Sequence, residues 1–254
     1  RFHKLLYVVG SEQNLHFKQL FKLLELMGYP WAQDCVHVPF GLIHFKEGRM
    51  STREGRIIFL EDVLNRALEL AHNIIKEKNP DLVDKEKAAR MVGLGAVIFG
   101  DLINDRVKDI EFDWDKVLDF SGETAPYVQY AHARISSIFR KATREGEDLS
   151  SFAVQNLAAL LEKGFLTSPE EEQLIITLAR FSEQVAQAAE GYRPSYVARY
   201  LVELARDFNK FYHNCPVLGA DEDLRRARLM LIKGVQIVLR NGLELLGIEA
   251  PEEM

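Results

Sequence analysis

Gly48-Arg49-Met50-Ser51-Thr52-Arg53-Glu54-Gly55 sets two hydroxyls and two guanidiniums between a pair of glycines, and its two flanks differ in kind. Before it, Cys35-Val36-His37-Val38-Pro39-Phe40-Gly41-Leu42-Ile43 is an apolar, strand-like run. After it, Ile57-Ile58-Phe59-Leu60-Glu61-Asp62-Val63-Leu64 turns into a helix. Glycine lets the backbone approach a ligand closely, and guanidinium pairs phosphate oxygens in a bidentate way, so the passage suits phosphate contact. A solvated loop has the same residues, and the stretch by itself leaves both meanings open.

Upstream, Leu5 to Val9 is a continuous apolar run closed by Gly10-Ser11, which predicts a strand buried on both faces. Phe17, Leu20, Phe21, Leu24 and Met27 recur at helical spacing, and Gly28 with Pro30 ends that helix. The Cys35–Ile43 run is the next strand, with Pro39 pointing to an edge position or a bulge. Strand, helix and strand in this order predict a βαβ unit with parallel strands, half of something larger.

Downstream of Leu60 no further strand is expected. Val63, Leu64, Ala67, Leu68, Ala71, Ile74 and Ile75 mark one amphipathic helix, broken at Asn79-Pro80. A second runs from about Asp84 to Leu102, and Gly93, Gly95 and Gly100 within it predict close packing of another element. Asn104 to Asp119 reads as a polar connector. Thr124 can cap a helix with Pro126 in its first turn and a core stripe of Val128, Ala131, Ile135, Ile138 and Phe139. Phe152, Leu157, Leu160 and Leu161 follow. Ser168-Pro169-Glu170-Glu171 is a capping box opening a helix with Leu174, Leu178, Phe181 and Val185 on one face. Two more helices carry Val197 to Phe211 and Leu224 to Leu245.

The 254 residues are 47% hydrophobic and 28% charged, values of a globular rather than a disordered chain. No apolar run approaches the roughly 20 residues that span a bilayer, and no membrane partner is expected. Cys35 and Cys215 stand far apart without metal-ligand spacing, so they read as reduced, buried thiols of a cytoplasmic protein, and no metal site is expected. A net charge of −6 argues against a nonspecific nucleic-acid binder but leaves room for one basic face. Arg134, Arg140, Lys141 and Arg144 are one candidate; Arg193, Arg199 and Arg206, and Arg225, Arg226 and Arg228, are the others.

Three further positions invite a chemical reading. Gln13 lies just past the C-terminal end of the first strand, where open α/β sheets place ligands; a helix-start Gln bonding backbone is its plainer meaning. His16 and His37 are more ordinarily satisfied structural histidines. Tyr127, Tyr130 and Arg134 fall at i, i+3 and i+7 and share a face about 100° from the core stripe. Aromatics beside a guanidinium suit stacking on single-stranded RNA bases, and equally suit packing between helices.

The order of these segments resembles the arginyl-tRNA synthetases of class I. Met50-Ser51-Thr52-Arg53 with Gly55 is similar to their KMSKS-type loop in its M-S-T-R-x-G form. Tyr7-Val8-Val9-Gly10-Ser11-Glu12-Gln13-Asn14-Leu15-His16 looks like the segment ahead of it. Phe112-Asp113-Trp114-Asp115 and Gly122-Glu123-Thr124-Ala125-Pro126-Tyr127-Val128-Gln129-Tyr130-Ala131-His132-Ala133-Arg134 look like the entry to the anticodon-binding helices. Val238-Leu239-Arg240-Asn241-Gly242-Leu243-Glu244 and the final Met254 close the chain in the same manner. The family's H-I-G-H signature does not occur, so the resemblance implies a C-terminal portion that would not charge tRNA alone.

What the resemblance implies is a mostly α chain with a small α/β part. Residues 1–57 would be the second half of a Rossmann-like catalytic domain, 58–121 a helical connective region, and 122–254 an anticodon-binding bundle of the DALR type. Met50, Ser51, Thr52 and Arg53 would contact the phosphates of ATP, with Mg²⁺ and no organic cofactor, and Gln13 would sit in the arginine pocket. Glu54, a carboxylate beside phosphate, is at odds with this unless it faces solvent. Tyr127, Tyr130, Arg134, Tyr212 and Met254 would contact the anticodon of an arginine tRNA. The implied protein is a monomeric arginine–tRNA ligase; the other reading is a noncatalytic, synthetase-derived tRNA-binding or interaction protein.

Overall fold

The computed structural model describes residues 2–45, 59–147 and 164–254. β1 (Leu5–Gly10) and β2 (Cys35–Phe40) pair in parallel, Leu5 beside Cys35 and Gly10 beside Phe40, with α1 (Asn14–Leu26) between them in sequence. This is the predicted βαβ unit. Phe17 of α1 is buried at its centre, stacked on His37 with ring centroids 4.4 Å apart and flanked by Tyr7 at 5.0 Å. β1 is not buried on both faces, however. Leu6 and Val8 are 46% and 66% exposed, because α1 covers the face that carries Tyr7 and leaves the other open.

The Cys35–Ile43 run forms two strands rather than one. β2 ends at Phe40, and β3 (Ile43–Phe45) pairs in parallel with β4 (Ile110–Phe112). β4 overturns the expectation of no strand beyond Leu60 and of a plain connector over Asn104–Asp119. Three residues are too few for alternation to register, and this strand is fixed by distant backbone: Gly41 N–H donates to the Arg106 carbonyl at 2.7 Å and Ile110 N–H to the Leu42 carbonyl at 2.9 Å.

α2 (Leu60–Lys78) and α3 (Lys85–Leu102) pack against each other around a small core of Ala71, Ile75, Leu82, Val92, Ala96 and Leu118. Asp84 caps α3 by accepting the Lys87 N–H at 3.0 Å. Gly93 permits the close crossing, since a Cβ there would lie 2.8 Å from the Ala67 carbonyl oxygen of α2. One turn, α4 (Trp114–Val117), leads to the bundle.

The bundle comprises α5 (Ala125–Arg144), α6 (Pro169–Ala179), α7 (Phe181–Gly191), α8 (Ser195–Asn214) and α9 (Glu222–Leu245). Thr124 caps α5 as predicted, and Val128, Ala131 and Ile135 are fully buried in the main core. The Ser168 capping box is formed, with Glu171 N–H on Ser168 Oγ at 3.3 Å and Ser168 N–H on Glu171 Oε2 at 2.8 Å. Burial pushes the Glu171 carboxyl up, but the Ser168 N–H, the Arg228 guanidinium and the Ser168 hydroxyl together hold it below the usual carboxylate range. The helix opened here is two helices, not one. The chain turns at Arg180, and the series Leu174, Leu178, Phe181 and Val185 runs through the turn because α6 and α7 both pack on α8. Phe152, Leu157, Leu160 and Leu161 lie outside the described residues. Among those described, no helix is long and apolar enough to cross a membrane.

Candidate nucleic-acid interface

α5 and α8 lie side by side, and their shared outer edge gathers the aromatic residues singled out above. The Arg134 guanidinium sits 4.6 Å from the centroid of the Tyr130 ring and 5.1 Å from that of Tyr212, between two π faces. Its Nη1 donates to Asn209 Oδ1 at 2.8 Å, and Asn209 Nδ2 donates to the Tyr127 hydroxyl at 3.0 Å. Asn209 therefore fixes the guanidinium from behind. Tyr127 is half-buried against the core and belongs to this inner support, whereas Tyr130 and Tyr212 are 40% and 43% exposed.

The exposed rings open on a groove of about 770 Å³ lined by Tyr130, Arg134, Arg140, Arg144, Tyr212 and Met254. A second cleft of about 790 Å³ adjoins it, sharing Asn79, Tyr130 and Met254 and reaching Phe120, over whose ring Lys78 Nζ lies at 5.3 Å. Four of the five residues expected to meet the anticodon thus border one groove, and Tyr127 stands behind it. Asn209 was not visible to sequence reasoning. A single polar residue beside Phe208 on an amphipathic helix carries no signal until the partner helix is placed.

The three arginine clusters part ways. Arg225, Arg226 and Arg228 are paired with Glu147, Glu222 and Glu171 at 2.5, 2.9 and 2.7 Å. Arg206 meets Glu123 at 3.3 Å, and Arg199 donates to the Ile103 carbonyl. The first cluster, with Arg134, Arg140 and Arg144, is the one that faces the groove.

At the other end of the chain, Gln13 is exposed on the 3-10 turn that follows β1. His16 is exposed, and His37 bonds the Val9 carbonyl through Nε2 at 2.9 Å while stacking on Phe17, a structural assignment. Met50, Ser51, Thr52 and Arg53 lie outside the described residues. The βαβ unit is tied to the bundle by Arg106, whose Nη1 donates to the Pro39 carbonyl at 2.5 Å and Nε to the Tyr192 carbonyl at 2.8 Å. Cys35 and Cys215 are free and buried. Among the described residues no group of three or more His, Cys, Asp or Glu could hold a metal ion.

Residues 128–254 match the DALR anticodon binding domain, and residues 1–114 match the catalytic domain of tRNA synthetases class I (R). The helical bundle thus groups with the DALR anticodon binding domains, and the parallel α/β unit with the catalytic domains of class I tRNA synthetases. The arginine–tRNA ligase of Halothermothrix orenii is 47% identical over 253 residues, and that of Clostridium botulinum 45% over 254. Each comparison covers 100% of this chain and 43% of the relative, so the chain spans less than half the length of these curated relatives. The solved Thermus thermophilus arginyl-tRNA synthetase superposes with a TM-score of 0.85 at 38% identity, over 99% of this chain and 41% of that one. The chain belongs to the arginyl-tRNA synthetase family.

Proposed function

We propose that this chain serves an arginine–tRNA ligase, in which ATP activates arginine and the arginyl group passes to an arginine tRNA, and that its groove holds the anticodon loop. The observation that carries the reading is the Arg134 guanidinium held between Tyr130 and Tyr212 at the mouth of a groove bordered by Arg140, Arg144 and Met254. Unstacked bases seek aromatic and guanidinium faces, and the flanking arginines suit the phosphates between them. In the same reading Met50, Ser51, Thr52 and Arg53 place donors on the phosphates as pyrophosphate leaves. The Gln13 carbonyl accepts from the guanidinium of the arginine substrate. Mg²⁺ arrives with ATP, and no step is assigned to a protein-held ion. The work divides into residues 1–57 for activation, 58–121 as connective helices and 122–254 for the anticodon, in a monomeric, cytoplasmic enzyme.

The test is titration of the 254-residue chain with an anticodon stem-loop of an arginine tRNA and with an unrelated stem-loop. The arginine stem-loop binds more tightly, and Tyr212→Ala weakens it roughly 5- to 150-fold, the equivalent of about 1–3 kcal/mol for one base stacked on an aromatic ring. Equal binding of both stem-loops, or an unaffected Tyr212→Ala variant, overturns the assignment.

A further inference from the structure

The closing segment Glu249–Met254 has no helix or strand of its own, yet side chains take its carbonyls almost one after another. Gln129 Nε2 donates to the Glu249 carbonyl at 2.8 Å, and His132 Nδ1 donates to that of Pro251 at 2.8 Å. Arg140 Nη1 donates to the Glu252 carbonyl at 3.2 Å while its Nε lies 3.3 Å from Glu253 Oε1. Asn79 Nδ2, at the end of α2, donates to the Met254 carbonyl at 3.2 Å. Gln129, His132 and Arg140 are three and eight residues apart on α5, which puts them within about 80° of one another around the helix.

Two of these side chains are unusual in the depth of their burial. Gln129 and His132 are both 0% exposed, and Gln129 Oε1 and His132 Nε2 have no hydrogen-bond partner among the described residues. Burying an amide and an imidazole costs free energy, and the unpaired atoms leave part of that cost unrecovered. Apolar residues would pack α5 against its neighbours without it. What they could not do is hold a carbonyl of the closing segment. Gln129 Nε2 also donates to the Met91 carbonyl of α3 at 3.1 Å, and Gly95 of α3 makes the room: a Cβ there would lie 2.9 Å from that nitrogen and 3.0 Å from Ile248 Cγ2. Burial holds His132 below its ordinary pKa, so the ring is neutral and the proton on Nδ1 is the one Pro251 accepts. At the far end of the segment, Met254 packs against the core between α2 and α3 and borders both clefts.

We infer that Gln129 and His132 are positioning residues of the groove: from the buried face of α5 they clasp the closing segment and so set Met254 beside Tyr130, where it walls the site. The inference rests on the anticodon reading for its consequence and on geometry alone for the clasp. The two parts are measured separately.

The clasp is read by hydrogen exchange over residues 248–254 in the 254-residue chain, compared among wild type, His132→Leu and His132→Asn. Leucine removes the donor, whereas the asparagine amide can occupy the place of Nδ1. His132→Leu raises exchange in the closing segment while α8 and α9 keep their protection, and His132→Asn restores it. Gln129→Met, which releases Glu249 instead, gives the same pattern and keeps the question open should His132→Leu fail to fold. Unchanged exchange in the segment overturns the clasp whether or not RNA binds. The consequence is read by stem-loop titration of the same variants, each with and without Met254. His132→Leu weakens binding roughly 2- to 12-fold, the equivalent of one lost hydrogen bond. In a chain ending at Glu253 it weakens binding no further. Losses that multiply instead show that His132 supports the bundle generally and overturn its role as a positioning residue.

Discussion

Replacing Arg134 with lysine keeps the charge of the groove and removes the flat cation that two tyrosines enclose. The guanidinium lies 4.6 Å from one ring centroid and 5.1 Å from the other. Cation–π contacts at exposed sites contribute about 0.5–1 kcal/mol each, so the pair amounts to about 1–2 kcal/mol. The Asn209 hydrogen bond adds about 0.5–1.5 kcal/mol. A lysine ammonium is a point charge on a flexible stem, which can rest on one ring but cannot lie flat between two while also engaging Asn209. Part of the loss falls on the fold and part on binding, and the share that falls on binding is worked out at about 1–2 kcal/mol, roughly 5- to 30-fold in Kd. The assay is stem-loop titration of wild type and Arg134→Lys at several salt concentrations. Because the number of cations is unchanged, the slope of log Kd against log salt stays the same while the line shifts to weaker binding. A lysine variant that binds as tightly as wild type would show that the site acts as a positive patch, and the stacking argument would fail with it.

The other expectations concern the supports of the groove. The folded-state pKa of His132 is lowered from 6.5, first by burial, with the charges of Arg240 and Lys233 acting the same way and the Pro251 carbonyl and Glu252 opposing. The unfolded chain therefore binds the proton more readily, and the stability that His132 confers is present above pH 6.5 and is lost as pH falls from there toward the lowered value. Thermal melts of wild type relative to His132→Asn should drop across that window; parallel curves would contradict it. Gly93→Ala sets a Cβ 2.8 Å from the rigid Ala67 carbonyl, so α2 and α3 must move apart at a cost of about 1–3 kcal/mol, read as a lower midpoint in urea.

How much of this was legible in the sequence depends on whether the cause is local. The Thr124 and Ser168 caps and the α5 core stripe follow from spacings within one element, the parallel βαβ unit follows from the order of consecutive elements, and each is present in the structure. Helical periodicity also placed Tyr130 and Arg134 on one face. It could not bring Tyr212 to them, because the meeting of α5 and α8 is a property of the folded bundle, and only the family resemblance pointed there. The failures have the same origin. β4 owes its existence to β3, about 65 residues away in sequence yet hydrogen-bonded to it. The turn at Arg180 hides inside an unbroken apolar series because both helices face α8. Gln129 and His132 are polar residues outside the apolar stripe of α5, and their burial gains meaning only from the segment laid against them.

Charge illustrates the distinction between a sum and a place. The chain carries 32 Lys and Arg against 38 Asp and Glu, a balance that weighs against binding a polyanion. Yet interactions between exposed charges fade over about 8–10 Å at physiological salt, so an RNA bound as proposed would meet the groove and not the total. Away from the groove, charges of both signs are engaged with one another: Glu147, Glu171 and Glu222 neutralise one arginine cluster and Glu123 meets Arg206. At the groove itself the closing segment brings Glu253 against Arg140, which trims the attraction for phosphate at the rim. Arg134 is turned inward between rings and so acts as a surface as much as a charge. With bulk attraction reduced in this way, the proposed function leaves discrimination to the aromatic faces and to Met254, groups that would respond to which bases are presented rather than to how many phosphates lie nearby.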